Sequence, residues 1–197
     1  MTALSKAAAV VGVGESSVGR VPHLSTVALQ RAAAEAALAD ADVLVMVGGA
    51  SRGDRDLAKA ALAPLGLDIA FADVAIKPGK PVWLGRVGSV LVMGLPGNPT
   101  SALVTARLLL APLIAGLTGR DPAEALPWRS LPLCEALNAA GDRETFSRAC
   151  WNGEKLHLLF NQDSGAQKTL AAANLLVRRP AGSSGFAAGD HVDVLDF

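Results

Sequence analysis

Hydrophobic and polar positions divide the chain into two regimes. Up to about residue 120 the apolar residues come in long, nearly unbroken runs. "DVLVMVGG" (42–49) is β-branched and apolar and ends on two glycines, which predicts a parallel strand buried on both faces. "STVALQRAAAEAALADA" (25–41) predicts a helix capped by Ser25 and favoured by its Ala and Leu content. "LAKAALAPLG" (57–66) predicts a short helix stopped by Gly66. "DIAFADVAI" (68–76) is a second strand candidate, and "PVWLGRVGSVLVMGL" (81–95) predicts two strands around an Arg-Val-Gly-Ser turn. "NPTSALVTARLLLAPLIAGLTG" (98–119) predicts a long helix with Asn98 as N-cap and Pro99 at the first helical position. Pro112 is expected to kink it. Residues 1–24 give no single pattern: "AAAVVGVG" suits a buried strand, and "GESSVGRVPH" is loop chemistry.

The pattern changes at "RDPAEALPWRSLP" (120–132), whose three prolines mark a linker. Short strand-like pieces follow: "SLPLCEAL", "ETFSRACW", "KLHLLF", "ANLLVRRP" and "HVDVLDF", separated by Gly, Asp and Asn. One helical turn is expected near 167–173. The predicted fold class is α/β: a three-layer domain over 1–122, followed by a small β-barrel-like domain over 128–197.

Composition narrows the partners. Of 197 residues, 51% are hydrophobic, and 18 basic residues balance 18 acidic ones. That balance gives no general attraction to nucleic acid or to an anionic membrane. Tyrosine is absent and aromatics are few, which argues against a base-stacking surface. No uninterrupted apolar run reaches the length of a membrane span, and the N-terminus lacks a signal-peptide layout. The expected compartment is the cytoplasm, with Cys134 and Cys150 as buried free thiols.

Three loops carry candidate chemistry. "GGASRGDRD" (48–56) follows a strand and precedes a helix, where open α/β sheets place ligands. Gly48, Gly49 and Gly53 would let backbone N–H groups approach an anion, with Ser51 beside them. Asp54 and Asp56 could offer oxygens to a hard cation. An ordinary strand-to-helix turn explains the same residues. In "KPGK" (77–80), Pro at the second position and Gly at the third suit a type II turn, which would hold Lys77 and Lys80 within about 7 Å. An anion between two ammonium groups would remove their repulsion; two solvated lysines are the alternative. "LPGNP" (95–99) puts Pro96 and Gly97 in the same kind of turn. It delivers Asn98 and Pro99 to a helix N-terminus, which carries partial positive charge. Here the alternative is a rigid helix entry. "GVGESSVG" (12–19) loosely imitates a dinucleotide-binding loop, but "RVPHLS" separates it from any helix.

In this order and spacing, "GGASRGDRD", "AIKPGKPVWLGR" and "GLPGNPTSALVTA" resemble the molybdopterin molybdenumtransferases, the MoeA type and the gephyrin E domain. "RETFSRA" and "NQDSGAQKTLAAANLLVRRP" resemble the family's C-terminal stretches. The resemblance implies insertion of molybdenum from molybdate into an adenylated molybdopterin, a divalent cation such as Mg2+, and a homodimer. It implies a catalytic role for Asp56, on the metal, and for Lys77 in the anion pocket; Lys80 is added as catalytic from the paired-lysine turn. Binding roles fall on Gly48, Gly49, Ser51, Gly53, Asp54, Pro96, Gly97, Asn98, Pro99 and Ser164.

The chain departs from the family pattern in places. Asp73 stands where a basic residue is usual, "QDSG" replaces Q-G-S, and no T-G-D-E-L strand or earlier domains are found. The chain is therefore expected to be a piece of a longer protein, a truncated gene product or a shortened paralogue. Two functions stay open: the transferase, or a non-catalytic pterin-binding or assembly module on the same fold.

Overall fold

The structure, a computed structural model, describes residue 23, residues 25–48 and residues 57–197. The strand and glycine-loop readings within 1–22 lie outside these residues. The chain divides into two compact units. One takes the residues up to Val74 together with Pro81–Gly97, and the other takes Ala75–Lys80 together with Asn98–Phe197.

In the first unit the helices form as the sequence dictates. α1 (Thr26–Leu38) is capped by Ser25, whose hydroxyl accepts from Ala28 N at 3.2 Å. α2 (Ala58–Leu62) tightens into a 3-10 turn, Ala63–Leu65, and stops where Gly66 turns left-handed at φ 83°. Among the described residues four strands make the sheet: β1 (Val43–Val47), β2 (Asp68–Ala72), β4 (Trp83–Val87) and β5 (Val90–Leu95). Their order is β1-β5-β4-β2. β1 runs parallel to β5, while β4 is antiparallel to both β5 and β2.

Ala34 of α1 and Ala58 and Leu62 of α2 bury one face of this sheet, against Trp83 and Val92. Trp83 is wholly buried because its cross-strand partner is Gly94: an ideal Cβ there would lie 2.0 Å from the indole nitrogen. Contrary to the expectation for a strand buried on both faces, β1 stands at the sheet edge among the described residues. Its Val47 is 66% exposed and its Val45 is exposed as well.

"DIAFADVAI" does not form one strand. It breaks at Asp73, which takes φ 59° and donates its N–H to Val82 O at 3.1 Å. The chain then enters the second unit as β3 (Ile76–Lys77). That unit contains the long helix: α3 (Pro99–Thr105), a π-helical turn Ala106–Leu110, and α4 (Ala111–Leu117). Pro112 cannot donate to the ladder, and the helix accommodates it by widening ahead of it, with Ala111 N–H bonded to Ala106 O. By length and composition alone this 19-residue helix could cross a membrane. Its Arg107, however, donates to Asp196 O and Ala125 O within the same unit, and Thr100, Ser101 and Thr105 are buried.

The predicted linker is ordered. Asp121 caps a 3-10 turn, Pro122–Ala125, and Trp128 stacks near Phe146 and under Arg178. Five strands follow: β6 (Arg129–Pro132), β7 (Glu144–Trp151), β8 (Leu156–Leu158), β9 (Leu175–Arg179) and β10 (His191–Asp196), with α5 (Gln167–Ala172) before β9. Pairing runs β3-β7-β9-β10-β6, with β8 also on β7. A parallel bridge from Leu133 to Leu156 joins the end of β6 to β8. The ring β8-β7-β9-β10-β6 thus returns on itself, around a core of Leu133, Ala149, Leu156, Leu175, Val177, Val192 and Val194. Both cysteines are free, but Cys134 is exposed and Cys150 half-buried rather than buried as expected.

Candidate functional site

Two loops of the first unit meet through glycine. Gly48 follows β1 and Gly97 follows the neighbouring parallel strand β5, so both lie past carboxyl ends of paired strands. Gly48 adopts φ 88° and donates its N–H to Leu95 O at 3.0 Å. A Cβ on Gly97 would come within 3.3 Å of Gly48 Cα. Gly97 has no positive φ, so the expected type II turn at Pro96-Gly97 does not form. Glycine is needed there for close backbone approach instead. Pro96 is buried and Gly97 exposed. Gly49, Ser51, Gly53, Asp54 and Asp56 lie outside the described residues. Among the described residues no group of three His, Cys, Asp or Glu side chains could hold a metal ion.

The second unit holds the rest of the predicted residues. β3 pairs in parallel with the start of β7, setting Lys77 opposite Thr145. In the turn after it the Lys77–Pro78 peptide bond is cis, and Gly79 takes the positive φ that the expected turn requires. Gly79 is buried at φ 118°, while Lys77 and Lys80 are exposed. Gly79 leaves no room for a side chain: a Cβ would stand 2.3 Å from Thr105 Cγ2 and 3.2 Å from Ile76 Cδ1. The lysine turn is therefore seated on α3.

At the other end of α3, Asn98 caps the helix as predicted, its side-chain oxygen accepting from Thr100 N at 3.1 Å. Pro99 occupies the first helical turn and is exposed. The N–H groups of that turn have no helical acceptor of their own, and together with the helix dipole they favour an anion.

Sequence reasoning missed the residue that ties these parts together. Arg148 lies on β7, three residues past Thr145, or about 10 Å along the strand. It is 1% exposed. Its guanidinium donates to Thr100 Oγ1 at 3.3 Å, to Asn161 O at 3.2 Å, to Asp163 O at 2.8 Å and to Ala166 O at 3.3 Å. Burial pulls its pKa below the ordinary arginine range, and the Asp163 carboxylate opposes that pull. Gln162 completes the clamp: its Oε1 accepts from Arg148 N at 2.9 Å and its Nε2 donates to Arg148 O at 2.8 Å. These bonds fix the loop that carries Ser164, which is half-buried. The available signal was an arginine set between the apolar Phe146 and Ala149 in "RETFSRA".

A shallow groove of about 800 Å³ runs along α3 and α5, lined by Pro99, Leu103, Ala106, Leu170 and Phe197 among others, and is mostly apolar.

Comparison with known proteins agrees with the sequence motifs. Residues 12–116 match the family described as the probable molybdopterin binding domain. Residues 130–197 match the MoeA C-terminal region (domain IV). The chain is 42% identical over 113 residues to the molybdopterin molybdenumtransferase of Haemophilus influenzae, covering 57% of this chain and 28% of that protein. It is 35% identical over 155 residues to that of Synechococcus elongatus, covering 77% and 38%. Against molybdopterin molybdenumtransferase 2 of Mycobacterium tuberculosis it is 30% identical over 197 residues, covering 96% and 48%. The chain thus spans less than half the length of each of these relatives. Among solved structures, the molybdopterin biosynthesis MoeA protein of Pyrococcus horikoshii superimposes with TM-score 0.71 at 28% identity, covering 85% of this chain and 40% of that one.

Proposed function

Since the chain belongs to the family of the probable molybdopterin binding domain, with the MoeA C-terminal region behind it, we propose that it acts in molybdenum cofactor biosynthesis. Its substrates in this reading are molybdate and an adenylated molybdopterin, and the reaction is insertion of the metal into the pterin dithiolene. We place the seam between the two family segments at 122–128, and we expect a cytoplasmic homodimer that takes neither nucleic acid nor membrane as partner.

One observation carries the reading. In the second unit, α3 has the lysine turn seated on one end through Gly79 and Thr105, and the Ser164 loop tied to the other through Arg148 and Thr100. This framework supports an oxyanion site. Lys77 and Lys80 would supply charge, the N-terminal turn at Asn98 and Pro99 would supply N–H donors, and Ser164 a hydroxyl. Gly48, Pro96 and Gly97 belong to the first unit and are proposed as binding residues on the family motifs alone. The described residues offer magnesium no fitting donor set, so no step is assigned to it. Asp54 and Asp56 remain proposed on sequence grounds alone.

The second reading is a pterin-binding or assembly module without turnover. Asp73 favours it, because it sets an acid where the family pattern has a base, four residues ahead of Lys77. Calorimetry with molybdate and with molybdopterin tests binding. Reconstitution of a cofactor-dependent apoenzyme, with and without magnesium, tests insertion. Binding with reconstitution supports the transferase, and binding without it supports the module. Binding of neither ligand would overturn both.

A further inference from the structure

Phe160 is 105% exposed, more open than in an extended chain, yet it stands in a loop held by hydrogen bonds on both sides of it. On one side of it, Leu159 N donates to Arg148 O at 3.0 Å, and Leu159 O accepts from Gln162 Nε2 at 2.6 Å. On the other side, Asn161 O accepts from the Arg148 guanidinium, and Asn161 Oδ1 accepts from Asp163 N at 2.9 Å. A flexible loop could fold a phenylalanine back onto the surface; this one is fixed with the ring outward. Water penalises that arrangement, and no contact among the described residues repays it.

We infer that Phe160 is a stacking platform for the planar heteroaromatic ring of the anionic ligand, a pterin or an adenylate. The inference rests on the functional reading above and deepens it. Ser164 lies four residues further along the same loop, and Arg148 ties that loop to Thr100 at the α3 N-terminus. An anion held at that terminus would therefore carry its ring close to the loop.

The size of the apolar surface selects the occupant. One phenylalanine offers about 150–250 Å², and the residues after it are the exposed, polar Asn161, Gln162 and Asp163. A stable protein interface needs about 800 Å² on each side. A single aromatic ring is enough for ring stacking, which needs no particular sequence of polar partners.

The test measures calorimetric affinities of the full chain for AMP, for pterin-6-carboxylate and for ribose 5-phosphate, which has the phosphate and no ring. Wild type should prefer a ring-bearing ligand over ribose 5-phosphate by about fivefold to a hundredfold. Phe160→Leu should lose that preference while keeping its affinity for ribose 5-phosphate and its unfolding midpoint, and Phe160→Trp should retain it. Which of AMP and pterin-6-carboxylate loses affinity identifies the ring. An unchanged preference in Phe160→Leu would overturn the stacking role and leave the functional reading intact. Absence of binding by all three to wild type would overturn both. A dimer abolished by Phe160→Leu, with ring preference unchanged, would reassign the residue to a second copy of the chain.

Discussion

Gly79 lies so close to Thr105 that a single added carbon would stand 2.3 Å from the threonine methyl. Thr105 cannot easily turn away. Its hydroxyl is bonded to Ser101 O at 2.8 Å and Ala102 O at 3.1 Å, which fixes the rotamer that points Cγ2 at the glycine. This contact joins the lysine turn to the long helix.

Gly79→Ala should therefore destabilise the protein by about 2–4 kcal/mol, from the clash together with the φ of 118°. The double variant Gly79→Ala/Thr105→Ser removes the methyl and keeps the hydroxyl bonds. It should recover part of the loss, leaving the backbone penalty. Urea unfolding of the two variants checks this; equal midpoints would show that the methyl contact does not matter.

Asn98 separates capping from anion binding. Asn98→Ala should cost about 1 kcal/mol through loss of the bond to Thr100 N. Asn98→Asp keeps the cap and adds a negative charge that the helix dipole favours, so stability should hold or rise slightly. The same charge should repel molybdate or phosphate. If Asn98→Asp binds anions as well as wild type does, the helix N-terminus is not part of the site.

Lys77→Ala should weaken molybdate binding about tenfold at low salt, by removing a charge-assisted contact. Lys77 is exposed, so the difference should shrink as salt screens it. A difference that persists unchanged at high salt would argue against direct attraction of the anion by this side chain.

Arg148→Met should be among the costlier single changes, at about 3–5 kcal/mol, because it strips a charged donor from three backbone carbonyls and Thr100 Oγ1. Limited proteolysis should then cut within residues 159–166. Arg148→Lys should rescue little, since one ammonium cannot span the same acceptors. Wild-type resistance of that loop in Arg148→Met would refute the clamp.

Much of the fold was legible in advance, and for local reasons. Ser25, Gly66, Asn98 and Pro99 act through their own backbone and the turn beside them, so the sequence announced the helix boundaries they set. The short strands after residue 128 were equally clear, because alternation and turn residues are local signals. The candidate anion groups were legible only as residue types and their spacing. Their framework was not, because Arg148 makes its bonds 13 to 18 residues ahead and 48 behind.

The sequence by itself determined where the helices are capped and stopped, which family motifs the chain carries, and which residues have the chemistry to meet an anion. Only the tertiary structure decided which unit each element joins. "DIAFADVAI" reads as one apolar strand, yet Asp73 breaks it, and Ile76 pairs with Glu144 in the other sheet. The tertiary structure also decided what the glycines are for. Gly94 exists for the indole of Trp83, Gly97 for the backbone of Gly48, and Gly79 for the methyl of Thr105. Local propensity concerns a residue and its chain neighbours; these glycines answer to atoms 11, 49 and 26 positions away, which meet them only after the chain has folded.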